Sequence, residues 1–228
     1  MRILPLLLAL ACLPEPSHAA ERHFGITGFQ KIRVDGPYRV EVVVGQPPFA
    51  TAVGSNAAID RLSITVQGQT LVIRPAPVAV DPSGAPAGAV TIRVGVHELG
   101  AAALNGAGMM NVTGVRGLLF DLAIAGSGAA SVTGEVDRWK VGVQGSGSAR
   151  LGGKGGRVEA SLKGTSALDA AALAVKDLVL VAEGPATATL HASDSVTINA
   201  NGPATINVTG GAACKISGSS SASVTGCK

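Results

Sequence analysis

Glycines recur through the second half of the chain at a nearly constant interval, and apolar residues keep fixed positions around them. The intervals are 20, 19, 19, 20, 18 and 16 residues, between Gly106, Gly126, Gly145, Gly164, Gly184, Gly202 and Gly218. Residues four and two places before each glycine are apolar, as are residues four and six places after it. Such period-two alternation is typical of β-strands. Each repeat is therefore predicted to be two short strands joined by a glycine turn.

The residues between these apolar positions are small or polar. The fifth place after the glycine, for example, is occupied by Asn111, Ser131, Arg150, Asp169 and Thr189. A repeat of this length without helical periodicity is too short for a propeller blade and predicts one coil of an all-β, parallel β-solenoid. Coils would stack ~4.8 Å apart, each strand pairing in parallel with its counterparts. We expect about seven coils over residues 101–228.

Residues 29–100 are predicted to form a more irregular β part of the same domain, which extends over residues 20–228. Alternating patterns predict strands near 32–34, 40–44, 62–66, 71–73 and 90–96. Turns are expected at Asp35-Gly36-Pro37 and at Gln67-Gly68-Gln69. Residues 75–88 are rich in Pro, Ala and Gly and are predicted to be a surface loop.

Two segments of this N-terminal part carry a family resemblance. The segment FQKIRVDGPYRVEVVVG at residues 29–45 and the segment IDRLSITVQGQTLVI at residues 59–73 resemble the bacterial head GIN domain, also called the putative autotransporter adhesin head domain. With the glycine-serine repeats, the resemblance covers nearly all of residues 29–226. It implies an exported protein with a right-handed β-helix-like fold and no defined chemistry.

The N-terminus predicts export. Residues 1–19 combine a positive charge at Arg2, an apolar run over 3–13 and the small-x-small sequence Ser17-His18-Ala19, as in a cleaved signal peptide. A lipoprotein signal ending at Cys12 would be very short, and a buried strand would fit badly with three prolines. The mature protein is therefore expected in the periplasm or at the cell surface.

Net charge and cysteine content limit the classes of partner and the covalent bonds that are expected. The formal net charge is +3, and Lys and Arg are scattered singly, so no nucleic-acid partner is expected. No later apolar stretch reaches the ~18 to 20 residues of a membrane span. In an oxidising compartment Cys214 and Cys227 are expected to form a disulfide, which would stabilise the last coil by ~3 kcal/mol. The sequence leaves no segment to cover that coil, so either this bridge or self-association is expected to protect its open edge.

One set of charged residues resembles a catalytic arrangement. Asp121, Lys140 and Glu159 each stand five places before a glycine, which predicts neighbouring positions on consecutive coils. Polysaccharide-cleaving enzymes use paired carboxylates. The alternative is a solvated charge ladder in which the lysine neutralises its neighbours.

A second set suggests binding. Polar residues directly before the glycines, with Asn199 nearby, form a stripe of Asn105, Gln144, Lys163, Glu183 and Asn201. Such a stripe could hydrogen-bond an extended glycan or peptide, or it could be the wet face of any soluble solenoid.

Motifs of other chemistries are absent from the sequence. There is no Gly-x-Ser-x-Gly elbow and no Ser-x-x-Lys pair, His23, His97 and His191 are far apart, and Gly152–Gly156 lacks the Ser or Thr of a phosphate loop. We expect no metal and no cofactor. The prediction is an exported, non-enzymatic envelope or surface protein that serves adhesion, ligand binding or structure, with a carbohydrate-active enzyme as the alternative.

Overall fold

The structure is a computed structural model that describes residues 20–77, 89–218 and 221–228. Within these residues the chain is nearly all-β, and the short helix α1 (Asn56–Asp60) is its one helix. The predicted signal peptide and most of the predicted loop at 75–88 lie outside the described residues.

Short strands form the N-terminal part and long strands form the column. The short ones are β1 (Ala20–Phe24), β2 (Lys31–Asp35), β3 (Arg39–Val44), β4 (Phe49–Gly54), β5 (Leu62–Gln67), β6 (Thr70–Pro75), β7 (Thr91–Val96) and β8 (Ala101–Gly106). The long ones are β9 (Met109–Gly126), β10 (Ala129–Gly145), β11 (Ser148–Gly164), β12 (Ala167–Glu183) and β13 (Thr187–Asn201). The column ends with β14 (Thr205–Thr209), β15 (Ala213–Gly218) and β16 (Ser223–Thr225).

The strands stack as a β-solenoid of about six turns, which confirms the predicted fold class. Val132 of β10, for example, pairs in parallel with Val112 below and Leu151 above. The segments that follow the corner glycines form one ladder through β1, β4, β7, β3, β9, β10, β11, β12, β13, β14 and β16, which we call face A. The segments that precede the glycines form face B, through β5, β6, β2, β8, the second halves of β9–β13 and β15.

The core contains the inward-facing residues predicted from the repeat, together with buried side chains outside those positions, such as Phe120 and Trp139. From the Gly106 coil to the Gly202 coil, every residue at the four apolar positions is buried. These side chains are mostly Val, Leu, Ile and Ala, and burying one Val or Leu contributes ~1.5 to 3 kcal/mol. No coil could be stable alone, because its apolar side chains are covered only by those of the coils above and below.

The first coil of the column lies earlier in the chain than the glycine spacing indicated. β2 and β3 pair in parallel with β8 and β9, so that Val34 lies opposite Leu104 and Val40 opposite Met110. Gly36, with a φ of 128°, takes the corner place of Gly106. The segment 29–45 is thus a regular coil, and β4, β5 and β1 add antiparallel strands that cover this end of the column.

The register of the last coil differs from the prediction. Gly218 pairs with Ala200 and not with Gly202, and Ile216 pairs with Ile198. The predicted alignment is therefore wrong by two residues here, and Ile216, expected in the core, is 53% exposed. The continuous ladder of backbone hydrogen bonds sets the register, and the position of a single glycine does not.

Among the predicted contacts at this end of the column, the Cys214–Cys227 disulfide is confirmed, with Cα atoms 5.6 Å apart. Self-association through this coil stays a prediction.

One corner contains a buried hydroxyl without a partner. Ser166 is 1% exposed, and no hydrogen bond reaches its Oγ. The next coils have Ala186 and Ala204 at the equivalent place, both buried.

We expect Ser166→Ala to raise the free energy of unfolding by about 1 kcal/mol, because it removes an unsatisfied polar group without leaving a large cavity. Urea denaturation measures this. Ser148→Ala, at an exposed position, should change stability by less than about 0.5 kcal/mol, and a loss of stability in Ser166→Ala would show that the hydroxyl is stabilising.

Candidate functional site

A groove of about 660 Å³ crosses the outer surface of face A. It runs across the stacked strands from β3 to β13 and thus parallel to the column. Its residues stand three and five places after the corner glycines. Because alternate residues of a strand point to opposite faces, these side chains lie outside while those at the fourth and sixth places fill the core.

Two rows of side chains line the groove. The first row is Arg39, Met109, Ala129, Ser148, Ala167 and Thr187, and the second is Glu41, Asn111, Ser131, Arg150, Asp169 and Thr189. In-register parallel pairing places successive members of a row on neighbouring strands, one step of ~4.8 Å apart. Five such steps give the groove a length of ~24 Å.

The two rows differ in chemistry. The first contains the apolar residues Met109, Ala129 and Ala167, with Met109 49% exposed beside Ala129, together with the hydroxyls of Ser148 and Thr187 and with Arg39 at one end. The second offers amide, hydroxyl, guanidinium and carboxylate groups, which supply both hydrogen-bond donors and acceptors. The groove can therefore contact an extended molecule through apolar side chains on three of its strands and hydrogen-bond it along the same length.

Two ion pairs lie in or beside the groove at the surface. Arg150 Nε lies 3.0 Å from Asp169 Oδ2, and Arg93 Nε lies 3.5 Å from Glu41 Oε2 at the end nearer the N-terminal strands. Exposed pairs of this kind contribute only ~0 to 1 kcal/mol, so a ligand can rearrange them at little cost. Burial raises the pKa of Tyr38, next to Arg39.

The predicted catalytic residues are neighbours, but they lie elsewhere. Lys140 pairs in register with Asp121 and Glu159 on face B, and Lys140 Nζ lies 4.0 Å from Asp121 Oδ2. Arg157 Nε lies 3.2 Å from Glu159 Oε1. Each carboxylate thus has a cation beside it, and none of the predicted three lines the groove. A catalytic role for them stays a prediction.

The predicted binding stripe also lies on face B, on the other side of the corner from the groove. Lys163 Nζ lies 3.2 Å from Glu183 Oε2, and Asn105 Nδ2 donates to Asp35 Oδ1 at 2.6 Å. Gln144 pairs in register with Lys163. Asn201 Nδ2 lies 3.4 Å from Asn199 Oδ1, so several of these groups bind one another. Ligand binding by the stripe stays a prediction.

Sequence reasoning did not select the groove, although the polar fifth place after each glycine was visible. Its members, Asn111 to Thr189, were recognised as outward-facing but not as one wall of a concave surface. The concavity depends on the small residues of the neighbouring row, such as Ala129 and Ala167.

The described residues also bear on metal binding and on membrane crossing. In that part of the chain no group of three His, Cys, Asp or Glu side chains is placed to hold a metal ion. None of its helices has the length and apolar content needed to cross a bilayer.

Solved structures with this fold come from bacteria. A putative adhesin from Bacteroides fragilis NCTC 9343 is 16% identical in sequence, with a TM-score of 0.78 over 93% of this chain and 96% of that chain. A putative lipid binding protein from Parabacteroides distasonis ATCC 8503 is 15% identical, with a TM-score of 0.72 over 91% and 96%. A putative adhesin from Parabacteroides merdae ATCC 43184 is 16% identical, with a TM-score of 0.68 over 91% and 95%.

At these identities the likeness shows a shared fold. No curated protein matches the chain. A family model matches residues 28–212, which include both N-terminal segments of the resemblance and most of the column. The chain therefore belongs to the family described as "Putative auto-transporter adhesin, head GIN domain".

Proposed function

We propose that this protein is an exported, non-enzymatic binding protein that holds an extended envelope glycan in the groove of face A. The observation that carries the proposal is the groove itself, whose polar wall repeats once per coil beside a row that contains the apolar residues Met109, Ala129 and Ala167. The description of the family as an adhesin supports a role in surface attachment. The names of the similar structures are those of adhesins and a lipid binding protein, and none is that of an enzyme.

A glycan suits the groove better than a fatty acyl chain. Sugars present hydroxyl groups along their length and apolar C–H faces between them, which matches the polar row beside Met109, Ala129 and Ala167. An acyl chain offers no hydrogen-bonding groups to the polar row, and polar groups that lose water on binding without gaining new partners weaken binding. Each hydrogen bond contributes only ~0.5 to 1.5 kcal/mol, so affinity should increase with ligand length until the groove is filled.

A bulky side chain in the groove tests this function. Ala129 faces outward in the middle of the first row. We expect Ala129→Trp to weaken binding to purified envelope polysaccharide at least about tenfold, a loss of ~1.4 kcal/mol, because the indole would block the passage of the chain. Sedimentation or calorimetry with graded oligosaccharides gives the affinity. The matched control is Ala123→Trp, at an exposed place of face B on the preceding strand β9, which should bind as the unchanged protein does.

Two outcomes would contradict the proposal. Equal affinities of the two tryptophan variants would show that the ligand does not occupy the groove. Release of soluble sugar fragments by the protein, abolished by Glu159→Gln, would favour the enzyme alternative.

A further inference from the structure

Exposed apolar side chains concentrate at one end of face A. Six large apolar residues of the described chain are exposed, and three of them, Val43, Phe49 and Met109, belong to this face. Met109 lies in the groove, and Val43 stands two residues beyond Glu41 on β3. Phe49 reaches the same row from β4, because Phe49 and Val43 both pair with Gly95 of β7. Val43 and Phe49 thus stand side by side just beyond the end of the groove nearer the N-terminal strands, whereas Met109 lies opposite Arg39, four residues along β3 from Val43.

Gly95 holds the ring of Phe49 in place. A Cβ at Gly95 would lie 2.3 Å from Phe49 Cε1 and 2.4 Å from Cδ1, so the ring occupies the space that any other side chain would fill. Gly95 is buried under it, while Phe49 itself remains 41% exposed. An aromatic ring is therefore fixed on the outer surface of the sheet with part of it in water.

The chain that leads to Phe49 is also fixed. Gly45 and Gln46 donate their backbone N–H groups to the carbonyl of Val96, at 2.8 and 3.1 Å. Pro47 and Pro48 follow directly, and their rings restrict φ. A ring that is already ordered loses little conformational entropy when a ligand binds.

Polar groups stand beside the ring. The row next to Phe49 and Val43 contains Arg93 and Glu41, joined as an ion pair, and then Asn111 of the groove wall. We propose that Phe49, with Val43, forms the apolar anchor of an end subsite that takes one pyranose ring of the glycan. The inference rests on the proposed function of the groove. The C–H face of the sugar contacts the ring, whose π face carries partial negative charge, while its hydroxyls reach Arg93, Glu41 and Asn111.

Three replacements of Phe49 separate an aromatic contact from a structural cover. Phe49→Ala and Phe49→Leu should both weaken binding of a groove-length oligosaccharide about three- to tenfold, the range that an aromatic contact contributes. Phe49→Trp should bind at least as tightly as the unchanged protein. Leucine still covers Gly95, so an affinity of Phe49→Leu equal to that of phenylalanine would overturn the proposal. The matched control is Leu119→Ala, an exposed apolar residue away from face A, which should leave affinity unchanged.

The outcomes also distinguish this proposal from the function on which it rests. If Ala129→Trp abolishes binding while all three Phe49 variants bind normally, the groove is used and the end subsite is wrong. If the unchanged protein binds no polysaccharide, both are wrong. If Phe49→Ala does not fold, the leucine and tryptophan variants still decide the matter.

Discussion

Trp139→Ala is expected to lower the free energy of unfolding by about 3 to 5 kcal/mol. Trp139 is the only tryptophan of the chain and is fully buried. Its ring packs against Phe120 of the coil below, edge to face, with centroids 5.8 Å apart. Its Nε1 donates to the Lys154 carbonyl of the coil above at 3.2 Å. Removing the indole thus leaves a cavity between three coils.

The measurement is urea denaturation followed by far-ultraviolet circular dichroism, since the variant has no tryptophan fluorescence. Trp139→Phe keeps an aromatic contact with Phe120 and loses the hydrogen bond to Lys154, so its loss should be smaller. A loss below about 1 kcal/mol in Trp139→Ala, typical of surface replacements, would contradict the described core.

Gly145→Ala is expected to lower the free energy of unfolding by about 3 kcal/mol or more. Gly142→Ala should leave the free energy of unfolding unchanged or raise it by about 0.4 to 1 kcal/mol. Gly145 is a corner glycine with a φ of 105°, a conformation that L residues rarely adopt, and its added Cβ would lie 2.6 Å from the Gly126 carbonyl oxygen. Stacking of one corner directly on the next leaves no room for it. Gly142 lies on the same strand with nothing within 4 Å of the added Cβ.

Thermal unfolding of both variants measures the difference. If each protein unfolds in a single transition, the melting temperature of Gly145→Ala should lie well below that of the unchanged protein. The melting temperature of Gly142→Ala should not. Equal melting temperatures would show that the corners do not require glycine.

Most of the column could be predicted because each coil of the structure corresponds to one repeat of the sequence. The alternation around Gly126 or Gly145 specifies which side chains face the core, and stacking makes the same rule hold for each coil. The coil at Gly36 obeys this rule too, with Ile32, Val34 and Val42 buried. It was missed because 70 residues separate Gly36 from Gly106, so it lies outside the regular spacing.

Other features depend on contacts that the repeat does not encode. β4 is a strand of small residues, such as Ala50 and Ala52, whose burial comes from pairing with β7. The register of the last coil is set by its hydrogen bonds to β13 and not by the position of Gly218. The groove depends on which outward side chains are small, and the alternation of apolar and polar residues does not encode that, so the sequence pointed to the polar stripe of face B and not to face A.

Mapping the contact by photo-cross-linking tests the central claim most directly. An envelope oligosaccharide that carries a photoreactive group would be bound, irradiated and located by mass spectrometry of the digested protein. Our account predicts label in the face A segments 109–111, 129–131 and 148–150. Label confined to face B, at Asp121, Lys140 and Glu159 or at Gln144 and Lys163, would contradict it.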